Sequence, residues 1–314
     1  MRAVTIADKA LKFSVDSPEP EPGLGEVLVK VHAAGLNGAD LLQVRGAYPA
    51  PPGSPADIPG LELAGEVVGL GPGVGRFGIG DRVMGIVGGG GQAEYAVVHE
   101  RQLMPVPAGL DLVAAGGFPE TFTTAHDAIV VQAGLRPGER LLVHGAAGGV
   151  GTAAVQIGRA IGASVVATTR HEQFDAQLEQ LGAEVVTRPN EHHGFGPFDV
   201  VLELIGGENL GEDVKALATG GRVVIVGVGG GIKAELNLLA LMSVRGRVLG
   251  TTLRSRPLEE KAATARAMER EVLPLVERGR LTVPIAKAFP AEEAEAAYAH
   301  FKQGGKFGKV ILTF

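Results

Sequence analysis

The 314-residue chain contains no cysteine at all. That absence excludes disulfides, iron–sulfur clusters, thiolate nucleophiles and cysteine-rich zinc sites. Aromatic residues are scarce at 4%, and with only three tyrosines a tyrosine in a loop stands out. No uninterrupted apolar stretch is long enough to cross a bilayer, and no basic run or basic amphipathic helix marks a membrane surface. The opening segment, Met1-Arg-Ala-Val-Thr-Ile-Ala-Asp-Lys9, lacks the apolar core of a secretory signal, so a cytoplasmic location is expected. Excess positive charge is missing too. A net charge of −6 argues against a general nucleic-acid binder, which needs a basic surface to displace counterions.

What is present is a large core and abundant punctuation. Apolar residues make up 45% of the chain and charged residues 20%, a composition for folded domains, and the length allows two of them. Residues 1–120 read as short half-buried strands cut by Gly/Pro turns: Ala3–Ile6, Leu11–Val15, Glu26–Val31, Ala64–Leu70, 81–85 and 93–98. Over 121–256 the texture changes to alternating strands and helices, the pattern of a parallel sheet. A helix is expected over 124–132. Six strands follow, at Arg140–Val143, Ser164–Thr168, 184–186, 199–203, 222–226 and 248–252, with helices at 174–181, 210–217 and 237–244. Six strands complete a doubly wound Rossmann sheet. A long helix over 258–277 and a closing strand at Lys309–Phe314 suggest that 257–314 returns to the first domain.

One segment carries chemistry. His144-Gly-Ala-Ala-Gly-Gly-Val-Gly151 lies between an apolar strand and a helix-like run, Thr152 to Ile161. Ala147, Gly148, Gly149, Val150 and Gly151 are placed to hold a pyrophosphate by backbone at a helix N-terminus. Ala146 replaces the first glycine of the usual fingerprint, so the argument rests on the strand–turn–helix–strand context. The second strand ends at Thr169-Arg170, nineteen residues beyond Gly151. An acidic residue near there would bind the ribose of NAD, whereas an arginine suits the 2′-phosphate of NADP. Arg188 is a possible helper, with a plain surface charge as the blander reading. Gly227 and Gly229 would let the nicotinamide lie against backbone.

Across nearly its whole length the chain resembles the medium-chain dehydrogenase/reductase superfamily, and within it the zinc-free quinone oxidoreductases related to zeta-crystallin. The resemblance rests on Ala34-Gly-Leu-Asn37-Gly-Ala-Asp40, Pro59-Gly-Leu-Glu-Leu-Ala-Gly65, Gly80-Asp-Arg-Val-Met84, Gly90-Gly-Gln-Ala-Glu-Tyr95, the 142–151 segment and Gly308-Lys-Val-Ile-Leu312. It implies a mainly antiparallel GroES-like β domain beside the Rossmann domain, with the active cleft between them. It also implies a homodimer paired through the edge strand at 247–252. Where zinc-dependent relatives carry ligating cysteine and histidine, this chain has Asn37 and Leu61, so no metal is expected. None of the eight histidines has metal spacing: His144 reads as support for the turn, and His192-His193 as an exposed loop pair.

Hydride transfer without a metal needs an acceptor that delocalises incoming charge onto oxygen, such as a quinone or an enone. Asn37 is a candidate to bond the acceptor or the ribose, with helix capping shared with Asp40 as its structural competitor. Tyr48 is a candidate to stack on a planar acceptor, or else a loop anchor. Thr124 matches a family threonine near the nicotinamide. The Leu253-Arg-Ser-Arg256 turn, with Arg254, and Lys309 are expected to approach the cofactor or the cleft. The expected function is NADPH-dependent quinone reduction, with alkenal or enone double-bond reduction and a crystallin-type NADPH-binding role as alternatives.

Overall fold

The structure is a computed structural model that describes residues 1–314. The chain forms two compact units, Met1–Thr123 with Leu253–Phe314, and Thr124–Thr252. The expected limits were 120/121 and 256/257, so both crossings lie a few residues from where the texture of the sequence changes.

The second unit is a six-stranded parallel sheet in the order Val185–Thr187, Ser164–Thr168, Arg140–Val143, Phe198–Glu203, Leu217–Ile225, Arg247–Gly250. In chain order that is 3-2-1-4-5-6, with the reversal between the first and fourth strands. Leu141, Leu142, Val143, Val165, Val166, Val200 and Val201 are fully buried, as strands covered on both faces require. Arg222 sits buried at the sheet's lower edge. Its guanidinium pairs with Glu139 at 2.9 Å and donates to the carbonyls of Ala133 and Gly134, so no buried donor is wasted.

Three elements differ from expectation, each for a local reason. The helix expected over 124–132 is an α-helix, Pro119–His126, that continues as a π-helical turn, Asp127–Gln132. The fifth strand starts at Leu217 rather than 222, with a register shift opposite Phe198 and Val200. Its glycines, Gly220 with φ +81° and Gly221, look like a loop in sequence but form the irregularity that lets the strand start early. The helix expected over 258–277 is broken into Leu258–Glu271 and Leu273–Glu277, because Pro274 has no N–H to continue the ladder.

In the first unit a hairpin, Ala3–Ala7 with Ala10–Ser14, turns through Asp8 and Lys9, both at positive φ. The main sheet has seven strands, with Glu26–Gly35 at its centre beside Glu62–Leu70, Tyr95–His99 and Lys309–Thr313. Val27, Val29 and Val31 alternate inward against Leu63, Val67, Val83 and Leu103. The last strand runs antiparallel to the central one, pairing Ile311 with Gly35. That pairing carries Lys309 to the residues around Asn37.

Candidate active site

In the second unit the 144–151 turn leaves the C-terminal end of the first strand at the switch point. It is fastened to both neighbours: His144 N–H donates to Leu202 O and Ala146 N–H to Thr168 O, each at 3.0 Å. Gly148 is the N-cap of a 13-residue helix, Gly149–Ile161. The first-turn N–H groups of a helix have no intrahelical acceptor, and its N-terminus carries partial positive charge. A Cβ on Gly151 would lie 2.6 Å from Ala146 Cα, so the helix can pack this close only on glycine. A Cβ on Gly227 would lie 2.0 Å from Leu204 O, whereas one on Gly148 would meet only Gly145 O, at an ordinary 3.5 Å, and Gly229 borders open space. Backbone donors facing an open side are what a pyrophosphate requires.

At the end of the second strand Thr169 is buried, its N–H bonded to Thr187 O and its hydroxyl to His171 N–H. Arg170 is exposed and has no hydrogen bond or ion pair. Arg188, expected as a possible helper, is engaged elsewhere. Its guanidinium forks onto both oxygens of Asp175 and reaches Thr169 O at 3.3 Å. It braces the loop that carries Arg170, and its charge is already paired.

The first unit holds a polar cluster. Lys309 Nζ lies 2.6 Å from Glu62 Oε1, 2.8 Å from Asn37 Oδ1 and 2.8 Å from Leu36 O. Asn37 Nδ2 donates to Glu62 Oε1 at 2.9 Å and to Gly35 O at 3.2 Å. Glu62 Oε2 takes the backbone N–H of Glu120 at 2.8 Å. Asp40 accepts the N–H of Asn37 at 2.8 Å, the returning half of a capping box, and that of Gly60 at 3.2 Å. Both atoms of the Asn37 amide are therefore used inside the cluster, which makes Asn37 a part of its framework. Lys309 joins this cluster in the first unit, and the dinucleotide turn belongs to the second. Arg254 is likewise bound within the first unit, to Gly88 O and Tyr48 O at 2.8 and 2.9 Å and to Gln43. Its guanidinium covers the Tyr48 ring at 4.9 Å. Arg254 and Lys309, expected to approach the cofactor or the cleft, are held by these partners within the first unit.

Burial shapes the acids of this cluster. Loss of water raises Asp40 from an ordinary 3.8 to about 7, against the pull of its N–H bonds and Lys309. Half-buried Glu120 rises from 4.5 to about 8, by desolvation first and repulsion from Glu62 second. Both stay protonated in the folded chain where the unfolded chain has already ionised. Their contribution to stability is present below about pH 4 and is lost as pH rises through 7 and 8. Thermal denaturation should therefore show the melting temperature falling from pH 5 to pH 8. Glu120→Gln should lessen that fall by removing the upper part of the window; an equal fall in both proteins would refute the assignment.

His192 departs furthest from expectation. His192 is 1% exposed, not a surface loop residue, and packs edge-on to His144 with ring centroids 4.9 Å apart. Burial first, then His144 and His193, lowers its pKa to about 4. Thr124 is buried at the start of the second unit.

The chain matches the alcohol dehydrogenase GroES-like domain family over residues 23–108 and the zinc-binding dehydrogenase family over 161–312. It therefore belongs to the dehydrogenases and reductases built from these two domains. Within them it is a member of the quinone oxidoreductase family. The quinone oxidoreductase of Rattus norvegicus is 34% identical over 327 residues, covering 99% of this chain and 97% of that one. The human quinone oxidoreductase is 33% identical with the same coverage. Among solved structures, the quinone oxidoreductase from Thermus thermophilus, also determined in complex with NADPH, superposes with a TM-score of 0.86 at 36% identity over the full length of both chains. A thermostable alcohol dehydrogenase from Pyrobaculum aerophilum with bound cobalt and zinc gives 0.86 at 30% identity, covering 100% of this chain and 99% of that one.

A catalytic zinc does not fit the polar cluster. Leu61 offers only carbon, both Asn37 side-chain atoms are spent, and the ammonium of Lys309 already sits on Glu62. A second cation would meet repulsion and too few donors.

Glu62 and Glu120 were not singled out from the sequence. Glu62 did leave a signal, a charged residue inside the apolar run Leu61-Glu-Leu-Ala64. A fully buried acid in such a run needs a partner, and that partner lies 247 residues away.

Proposed function

We propose that this chain is an NADPH-dependent quinone oxidoreductase that works without a catalytic metal. The observation that carries the reading is Arg170, exposed and unpaired at the end of the second Rossmann strand, beside a glycine turn that opens a long helix at the switch point. Bound NADPH supplies the hydride. Gly148 to Gly151 hold the pyrophosphate by backbone, and Arg170 pairs with the 2′-phosphate. Gly227, Gly229 and Thr124 support the nicotinamide end. In the first unit the Lys309–Glu62–Asn37 cluster keeps the strand end around Asn37 rigid, and Tyr48 offers a ring whose orientation Arg254 fixes. A quinone accepts hydride with its charge delocalised onto oxygen, so the protein need only orient it and exclude water.

The deciding experiment is NADPH oxidation by the purified chain with a quinone and a linear alkenal side by side. Faster turnover of the quinone is expected. Faster turnover of the alkenal would reassign the chain to double-bond reduction, and NADPH binding with no turnover would favour a crystallin-type role.

The proposal includes a cytoplasmic homodimer joined through the edge strand Arg247–Gly250. No helix is long and apolar enough to cross a membrane. Beside that strand, Leu238, Leu239 and Met242 are 66–74% exposed, an apolar face that a lone chain would leave in water. Leu239→Glu with Met242→Glu should shift the protein to monomer in analytical ultracentrifugation, and an unchanged dimer would place the interface elsewhere.

A further inference from the structure

One buried cluster of the Rossmann unit has no part in hydride transfer. His144 directly follows the first strand, His192 opens a short turn, His192–Phe195, and Asp213 lies on the helix Leu210–Lys215. His144 Nε2 is 2.7 Å and His192 Nε2 3.8 Å from the same Asp213 oxygen, Oδ1. The three ligating atoms all fall within 4.8 Å of one another. The side chains are buried, at 1%, 1% and 0% exposure. Hydrogen bonds account for only part of this grouping. Both ring nitrogens of His192 and Oδ2 of Asp213 are buried with no hydrogen-bond partner. Such atoms are rare in folded proteins, because burial removes water and here returns nothing.

We propose that His144, His192 and Asp213 form a binding site for a divalent transition ion of the zinc type. Two imidazoles and a carboxylate are a donor set that Zn²⁺ accepts, with a fourth position left for water. Imidazole donors disfavour Mg²⁺ and Ca²⁺, which take oxygen. An ion there engages His192 and offsets the buried charge of Asp213, and the 2.7 Å contact opens to admit bonds of about 2.0–2.2 Å. His144 also has the outer partner that a ligating histidine commonly keeps: its Nδ1 lies 3.1 Å from Thr168 Oγ1. The three ligands are far apart in sequence, and His144 immediately precedes the dinucleotide turn. The ion is a structural clamp that ties the base of that turn to the helix and to the 192 turn.

The test uses the full chain, treated with a chelator, desalted and titrated with Co²⁺ as a spectroscopic probe. Visible ligand-field bands saturating at one Co²⁺ per chain and abolished by Zn²⁺ are expected. His192→Leu should lose the bands and His193→Ala should keep them. Because the His192 ring makes no hydrogen bond, leucine should fold in its place, and Asp213→Asn provides a second variant expected to lose the bands. Zn²⁺ should raise the melting temperature of the parent chain and leave that of His192→Leu unchanged. Absence of bands in the parent overturns the proposal. So do bands that survive His192→Leu but vanish in His193→Ala, which would mark a surface site.

Discussion

Arg170→Asp should lower kcat/KM for NADPH by about 100-fold while leaving that for NADH within a few-fold. Charge-assisted hydrogen bonds contribute about 1.5–3 kcal/mol, and about 2.7 kcal/mol corresponds to about 100-fold. The arginine has no competing partner to give up, since it is exposed and unpaired, so its charge is available to the 2′-phosphate. Arg188 cannot easily replace it. Its guanidinium is held on Asp175, and releasing it would break a forked pair. Steady-state kinetics with both cofactors would decide the matter. An unchanged NADPH-to-NADH ratio would show that another group reads the phosphate.

Lys309→Met should destabilise the protein by about 3–5 kcal/mol, the usual cost of removing one partner from a buried pair. Lys309 and Glu62 are 3% and 0% exposed and meet at 2.6 Å, so water cannot take over the role of the lost ammonium. Glu62 would be left with a buried charge, and Asn37 Oδ1 would lose the donor it accepts from. A drop in melting temperature of roughly 10 °C is expected, at about 2–4 °C per kcal/mol for domains of this size. The double variant Lys309→Met, Glu62→Gln should recover part of the loss, because the stranded charge is gone. A double variant as unstable as the sum of the two singles would mean that the pair does not act as a unit.

The dinucleotide turn was legible in the sequence because it is local. A strand, a glycine turn, a helix and a second strand fit within residues 140–170, and each leaves its own periodicity. The first two strands were read at their observed limits, Arg140–Val143 and Ser164–Thr168. The polar cluster was legible only in pieces. Asn37, Asp40 and Lys309 were each noticed, but nothing along the chain says that Lys309 belongs with Asn37. Two strand pairings decide it, Ile311 with Gly35 and Ala33 with Ala64. The partners of Arg254 and Arg188 were hidden for a related reason. An arginine near a cofactor segment looks available until the fold shows which carboxylate or carbonyl already holds it.

By itself, then, the sequence determined the fold class, the glycine turn at the head of a helix, the arginine proposed to read the 2′-phosphate and the lack of a cysteine ligand for zinc. Each of these depends on residue type or on spacing over a few turns of chain. Tertiary structure alone decided which buried polar groups face one another: Lys309 with Glu62, Arg254 with Gln43 and the Tyr48 carbonyl, and His192 with His144 and Asp213. Such pairings depend on sheet order and strand register, which close contacts between segments distant along the chain. Desolvation then gives those contacts their strength and moves the acids away from their ordinary pKa values.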